Sequence, residues 1–410
     1  MTQAPVTEPP PTTESHAEPQ RRRFTAGPIT VTLLSIVLAL IAGALLIALS
    51  DPGVTSALPY FLARPTDALS SGWQAVSSSY VALFNGSVFD PARASGGLIA
   101  ALTPLSETLV QATPLICTGL AVGLAYRAGL FNIGAEGQVV MGAILCSWIG
   151  FHYSMPLGVH LVVAIVGAIV GGALWGGLIG WLKARFGAHE VISSIMLNYI
   201  ALYFLEWLLT LDQFKRPGRA DPISPPIADT AQFPVVGGLR VHMGLLVALA
   251  AAWGCQWLLT KSTIGFRFRA VGANPAAART AGMDVNKTFV LVMVICGGLA
   301  GLAGSMQIQG TEYSLTGGIS ANLGFDGITV ALLGRSKPWG TVAAALLFGA
   351  LRAGGITMQA ATGTPVDIVL VLQSLIVLFV AAPPLVRAVF RLHTSAGASG
   401  LTSLSKGWNS

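Results

Sequence analysis

The chain has 410 residues, of which 10% are Asp, Glu, Lys or Arg, against 53% hydrophobic residues, 48 glycines and a mean hydropathy of +0.70. A soluble fold carries about 25% charged residues, so this composition excludes soluble, disordered, fibrous and disulfide-scaffold classes and points to a polytopic membrane protein. The net charge of +6 implies no nucleic-acid partner here, because in a bilayer the position of each cation matters more than the sum.

Residues 1–28, rich in Pro, Thr and Glu and carrying Arg21-Arg22-Arg23, read as a disordered tail closed by a basic stop. Residues 29–49 run on to Asp51-Pro52 without an A-x-A site, which makes them a retained first span rather than a signal peptide. Further apolar stretches follow at 102–126, 129–151, 156–182, 191–211, 241–259, 288–306, 323–334, 339–352 and 366–382, ten in all with the first. The eighth and ninth, with 12 and 14 residues, cover only about 18–21 Å of a hydrocarbon core about 30 Å thick. They are expected to tilt, to extend into their flanks or to pair as a re-entrant hairpin. The predicted fold is all-α and integral to the membrane, with about ten helices over 29–385 and a C-terminal tail over 386–410.

With the N-terminus in the cytoplasm, 16 of the 23 Lys and Arg fall inside and seven outside, Arg352 among the seven. The positive-inside rule therefore places both termini in the cytoplasm. Two long outer segments, 50–101 and 212–240, read as loops with turn-forming Pro and Gly. The longest inner loop is 260–287. Within it Asn274 is a helix N-cap candidate, Pro275 occupies the first helical position, alanines follow, and Gly282 ends the helix.

One element occurs twice. Asn132-Ile133-Gly134-Ala135-Glu136-Gly137 and Asn322-Leu323-Gly324-Phe325-Asp326-Gly327 share the pattern Asn, aliphatic, Gly, any, acid, Gly at an offset of 190 residues. An odd number of spans separates the copies, so they enter the membrane from opposite sides, the trace of inverted-topology repeats. Locally, Asn can cap a helix start and an acid in the first turn complements its dipole. Placed below the membrane surface, such starts would also aim N–H groups and a carboxylate into a cavity.

No Gly precedes any Lys, so there is no Walker A phosphate cradle, and no zinc, nucleophile-elbow or Ser–His–Asp pattern is present. Nothing in the chain implies an enzyme, a metal or a cofactor. The four cysteines, Cys117, Cys146, Cys255 and Cys296, lie in apolar stretches and read as small core hydrophobes. Ionisable groups near the membrane are Glu107, Glu136, Glu190, Glu206, Glu312, Asp326 and Asp367, and charges there are functional by default. Asn198 lies mid-span, where it either faces a pathway or bonds a neighbouring helix. The glycines from Gly167 to Gly180 give small-residue faces for close packing.

The stretch from Tyr126 to Gln138, YRAGLFNIGAEGQ, resembles a signature of nucleoside-type permease subunits of bacterial ABC importers, within the group that also serves simple sugars and branched-chain amino acids. The run from Glu190 to Tyr199, EVISSIMLNY, resembles a second signature of the nucleoside branch, and Gly265–Asp284 is similar to the family's ATPase-coupling loop. The resemblance covers about residues 100–385. It implies a ten-span plasma-membrane permease that takes up nucleosides, paired with a second related permease, a cytoplasmic ABC ATPase and an extracytoplasmic substrate-binding lipoprotein. The expected substrate pathway comprises Asn132, Glu136, Gln138, Asn198, Asn322 and Asp326. The expected ATPase-coupling residues are Arg267, Arg269, Asn274, Ala277, Arg279, Ala281 and Gly282. The rivals are a permease for ribose-like sugars or branched-chain amino acids and, from another class, an ion-coupled secondary transporter with Glu136 and Asp326 as coupling carboxylates.

Overall fold

The structure, a computed structural model, describes residues 28–390 apart from Val236. The basic N-terminal tail, Arg391 and Lys406 lie outside the described residues. Apolar chain in lipid can satisfy its backbone only within helices, and the described residues form helices and two isolated β-bridges. Leaving aside the short helices Pro52–Ala57 and Leu98–Ala101 and single turns, these are, in chain order, α1 (Pro28–Ser50), α2 (Pro65–Ser87), α3 (Thr103–Arg127), α4 (Ala135–His152), α5 (Val159–Phe186), α6 (Glu190–Leu208) and α7 (Gly244–Lys261). Then come α8 (Thr263–Ala273), α9 (Pro275–Thr280), α10 (Val285–Gln307), α11 (Leu323–Leu333), α12 (Pro338–Thr362), α13 (Asp367–Ala381) and α14 (Pro383–Val389).

Among the described residues, seven helices (α1, α3, α5, α6, α7, α10 and α12) are each long and apolar enough to cross a membrane. The pair α13 and α14, bent by 93°, adds an eighth at most. The expected ten is not reached by this measure, and the difference lies in α4, α11 and the bent pair of α13 and α14. The stretch predicted at 129–151 is helical only from Ala135, and residues 128–134 are non-helical chain. α11 has only 11 residues. The ninth stretch is longer than expected, because α12 continues past Arg352 to Thr362. Arg352 is therefore inside a helix and leaves the outer tally, reducing it from seven to six.

The outer segment 50–101 is not simply a loop. It contains α2, whose Gly86 packs against Gly354 and Thr357 of α12, and whose Tyr80 hydroxyl donates to the Leu40 carbonyl of α1. Ser79 bonds Thr364 at 3.0 Å. The serines that lowered the apolar signal of this segment satisfy their hydroxyls on nearby carbonyls, as Ser77 does on Gln74 and Ser78 on Ala75.

Two ends of the bundle can be distinguished. At one, here the loop end, the Arg127 guanidinium closing α3 donates to the Ser336 carbonyl at 3.0 Å, Lys183 pairs with Glu190, and α8 and α9 cap the bundle. At the far end, Arg240 pairs with Glu107 at 3.0 Å and His160 bonds Thr230 at 2.8 Å. Arg335 reaches Thr32 of α1, so the start of the described chain lies at the loop end.

The tightest packing joins α5 to α10. A Cβ on Gly172 would lie 2.1 Å from the Gly297 carbonyl oxygen, and one on Gly301 would lie 2.2 Å from that of Ala168. The two backbones touch because both faces carry glycine every four residues, as the small-residue run in α5 predicts. α3 packs on α12 as α10 packs on α5, with Gly349 against Thr108 and Ala112. Each long helix that precedes a repeat element thus lies against the long helix that follows the other copy.

Candidate functional site

The two copies of the Asn–Gly–acid element meet. Residues 128–134 enter from the loop end and α4 then runs to the far end, where Gly150 packs on Ile227. Residues 313–322 enter from the far end and α11 runs to the loop end beside Arg127. The starts of α4 and α11 abut so closely that a Cβ on Gly324 would lie 2.2 Å from the Glu136 backbone nitrogen. Two half-helices therefore point away from a shared start inside the bundle, the arrangement that places helix dipoles in a membrane interior.

The polar side chains at this junction satisfy it across the repeat. The Glu136 carboxylate accepts the Gly324 N–H at 2.7 Å, so the acid of the first copy caps the helix of the second. Asn198 accepts the Gly137 N–H at 2.9 Å and donates to the Ile133 carbonyl at 3.0 Å, bracing the turn into α4. Asn132 and Gln138 exchange two amide hydrogen bonds of 2.9 and 3.1 Å, and both side chains are fully buried. Neither asparagine of the repeat caps its own helix, contrary to the local expectation. The N-cap of α4 is Gly134, and Asn322, in the left-handed region at φ 60°, makes no side-chain cap bond.

Asp326 differs from its counterpart Glu136. It pairs with Arg352, which also donates to the Ala321 carbonyl at 3.2 Å. The two side chains keep about a fifth of their exposure, 19% for Arg352 and 21% for Asp326. Sequence reading missed Arg352 because a charge at the end of an apolar window looks like a loop residue. Its spacing from Thr362 was the available signal: the ten residues after Arg352 contain no helix breaker other than Gly354 and Gly355.

Asp326→Asn should leave the Arg352 guanidinium without its counter-charge at a cost of about 1–3 kcal/mol, less than for a fully buried pair because water reaches both groups. A lower melting temperature for Asp326→Asn, partly recovered in Asp326→Asn/Arg352→Gln, is the expected outcome of a thermal-unfolding series. For Glu136, the expectation is that Glu136→Gln keeps an oxygen for the Gly324 N–H and leaves the pH profile of uptake unchanged. Loss of a wild-type pH dependence in that variant would instead identify Glu136 as a proton carrier.

Two donors at the junction remain without partners among the described residues, Trp175 Nε1 on α5 and Ser194 Oγ on α6. Both face the start of α4: a Cβ on Gly137 would lie 3.0 Å from Trp175 Nε1, and one on Gly134 3.3 Å from Ser194 Oγ. Trp175 carried no signal in the sequence, since a single Trp in an apolar glycine-rich helix reads as packing.

At the loop end, Ser262 caps α8 and Asn274 caps α9, accepting the N–H groups of Ala276 and Ala277 at 3.0 Å each. Pro275 opens α9, and Gly282, at φ +81°, follows its end, as the sequence predicts. The sequence did not reveal α8. Arg267, Arg269, Ala277, Arg279 and Ala281 are all exposed. A Cβ on Gly272 at the end of α8 would lie 2.4 Å from the Arg127 carbonyl oxygen, so this surface rests on the chain that leads into Asn132 and Glu136.

Residues 105–381 match the family model described as branched-chain amino acid transport system / permease component. The chain is 38% identical over 379 residues to the guanosine ABC transporter permease protein NupP of Bacillus subtilis, covering 90% of this chain and 98% of that one. It is 36% identical to a glucose ABC transporter permease protein of Haloferax volcanii, covering 67% of this chain and 75% of that one. It is 33% identical to the nucleoside ABC transporter permease protein NupB of Lactococcus lactis, covering 68% and 79%. No solved structure matches the chain. A multi-pass helical bundle with no ATP-binding cradle, matched along most of its length to membrane permeases, belongs to the branched-chain amino acid transport system / permease component family and is a permease subunit of the ABC transporter type.

Proposed function

We propose that this chain is the membrane-spanning subunit of an ATP-driven importer that takes up nucleosides, residing in the plasma membrane with both termini in the cytoplasm. The observation that carries the substrate class is its likeness to a guanosine permease over 90% of its own length and 98% of the relative's. The importer would comprise a cytoplasmic ABC ATPase, a second related permease and an extracytoplasmic binding lipoprotein. The 16 to 6 distribution of cations supports the orientation.

The substrate passes the junction of α4 and α11, along Asn132, Glu136, Gln138, Asn198, Asn322 and Asp326. Most of these polar atoms already bond the backbone or one another, so their part is to fix the two abutting helix starts beside the path of a polar, uncharged solute. Trp175 Nε1 and Ser194 Oγ are the donors left for the solute itself. Replacing Ser194 with Ala deletes only the hydroxyl. A lost hydrogen bond of about 1 kcal/mol corresponds to an increase of about fivefold in the KM of uptake, with little change in protein level.

A simple-sugar substrate is the second reading, favoured by the 36% identity to a glucose permease. Uptake of labelled guanosine by cells expressing the complete importer discriminates them. Competition by other nucleosides but not by glucose or leucine is the expected result. Uptake of labelled glucose without uptake of guanosine would replace the nucleoside reading, and uptake without the ATPase would sink the importer reading itself.

A further inference from the structure

At the loop end, a pocket of about 420 Å³ opens between the end of α3, the last turns of α7, the coupling helix α8 and the start of α12. Its charged lining comes from Arg127, Arg269 and Lys337, and its apolar wall from Leu259, Pro338 and Trp339. No carboxylate lines it. Among the described residues, neither Arg269 nor Lys337 has an acidic partner, whereas Lys183, Arg240, Lys287 and Arg352 all do. Arg127 is fixed in place by its bond to the Ser336 carbonyl. Three cations held around one space with no counter-charge call for an anion from outside the chain.

The surroundings of the pocket say which anion. Trp339 is 51% exposed, and Trp253 and Trp257 on the adjoining outer face of α7 are 63% and 52% exposed. Exposed tryptophans gather at the depth of lipid headgroups. Leu246, Trp253 and Trp257 are all exposed and recur at helical spacing along α7, an apolar track that leads away from the pocket toward the far-end start of that helix. A soluble anion has no use for that track, but an acyl chain does. Basic pockets between membrane helices, at the level of the interface, suit anionic headgroups.

We infer that this pocket holds the phosphodiester headgroup of an anionic phospholipid, bound by Arg127, Arg269 and Lys337, with an acyl chain along the Leu246–Trp257 face of α7. The bound lipid ties α8, through Arg269, to the start of α12, through Lys337. The coupling helices would then be anchored by the bilayer as well as by the protein.

The test uses the full-length chain purified in mild detergent, native mass spectrometry, and added dioleoyl phosphatidylglycerol or dioleoyl phosphatidylcholine. The wild type is expected to retain phosphatidylglycerol at least tenfold over phosphatidylcholine. Lys337→Gln and Arg269→Gln should each reduce that preference several-fold, and Lys337→Arg should keep it. Lys261→Gln, a cation at the same end but outside the pocket lining, should leave it unchanged. Melting temperatures without added lipid separate a folding defect from a binding one. Equal retention of both lipids, or an unchanged preference in Lys337→Gln, would overturn the assignment. So would inorganic phosphate that stabilises the protein as much as phosphatidylglycerol does, which would make this a soluble-anion site. Reduced ATPase co-purification by Lys337→Gln with unchanged lipid retention would give the pocket to the partner protein instead.

Discussion

Gly297→Leu and Gly172→Leu should each abolish the folded permease. A Cβ on either residue would fall within 2.2 Å of a carbonyl oxygen on the opposing helix. Overpacking a core by a methylene or two costs about 1–3 kcal/mol when neighbouring side chains can move aside. Here the obstacle on both helices is backbone, which cannot change rotamer, so the helices must separate along the whole crossing. The separation would not stay local, since α5 supplies Trp175 to the α4 start and α10 leads into residues 313–322. Size-exclusion profiles and protease resistance of the variants should show an unfolded or aggregated protein at normal synthesis levels. Gly254→Leu on α7 is the matched control: no atom lies within 4 Å of its Cβ position, and the fold should survive. A monodisperse, protease-resistant Gly297→Leu would mean that the α5–α10 contact is looser than described.

That crossing shows which parts of the molecule the sequence made legible. Glycines at four-residue spacing announce a close helix contact, because only small residues let backbones approach, and α5 bears this out. The repeated Asn–Gly–acid element likewise announced two helix starts of opposite direction. Its inner logic was not legible. A first-turn acid reads as serving its own dipole, yet Glu136 caps the helix of the other copy, a relation that depends on the copies meeting in space. Asn198 was open between a pathway and a packing role, and the structure gives both its amide groups to the backbone around α4.

The errors share a physical cause. Hydropathy counts side chains one at a time, while a membrane bundle tolerates polarity wherever a partner is near. Arg352 ended a predicted stretch because its charge is visible and its partner Asp326, 26 residues away, is not. The serines of α2 hid a helix in the same way. Conversely, residues 128–134 are apolar enough to extend a span but are wrapped back into the bundle as non-helical chain. Such a backbone is tolerable at membrane depth only where protein encloses it.

The loop 260–287, proposed to couple to the ATPase, carries the last expectation. Energy released on an ATPase must reach the helix junction through contact, and the exposed face of α9, with Ala277 and Ala281, is smooth, capped and free of other duties. Its neighbour α8 carries in its last turn Gly272, which touches the Arg127 and Ala128 backbone at the start of the chain leading to Asn132 and Glu136. A push on α9 thus has a short material route to the junction. Ala277→Trp or Ala281→Trp adds bulk where a partner groove would close on the helix, without removing a cation that sets topology or a bond that holds the fold. ATP turnover by the assembled importer should lose most of its response to loaded binding protein, and uptake should fall with it, while membrane insertion stays normal. Arg267→Gln/Arg269→Gln should instead weaken ATPase association, and the difference from wild type should shrink as salt screens the contact over a Debye length of about 8–10 Å. Arg269 belongs to the lipid pocket as well, so Arg267→Gln alone isolates the ATPase contribution. If stimulation and uptake both survive a tryptophan at position 277 and at position 281, the route from ATPase to junction runs through another surface of the loop end.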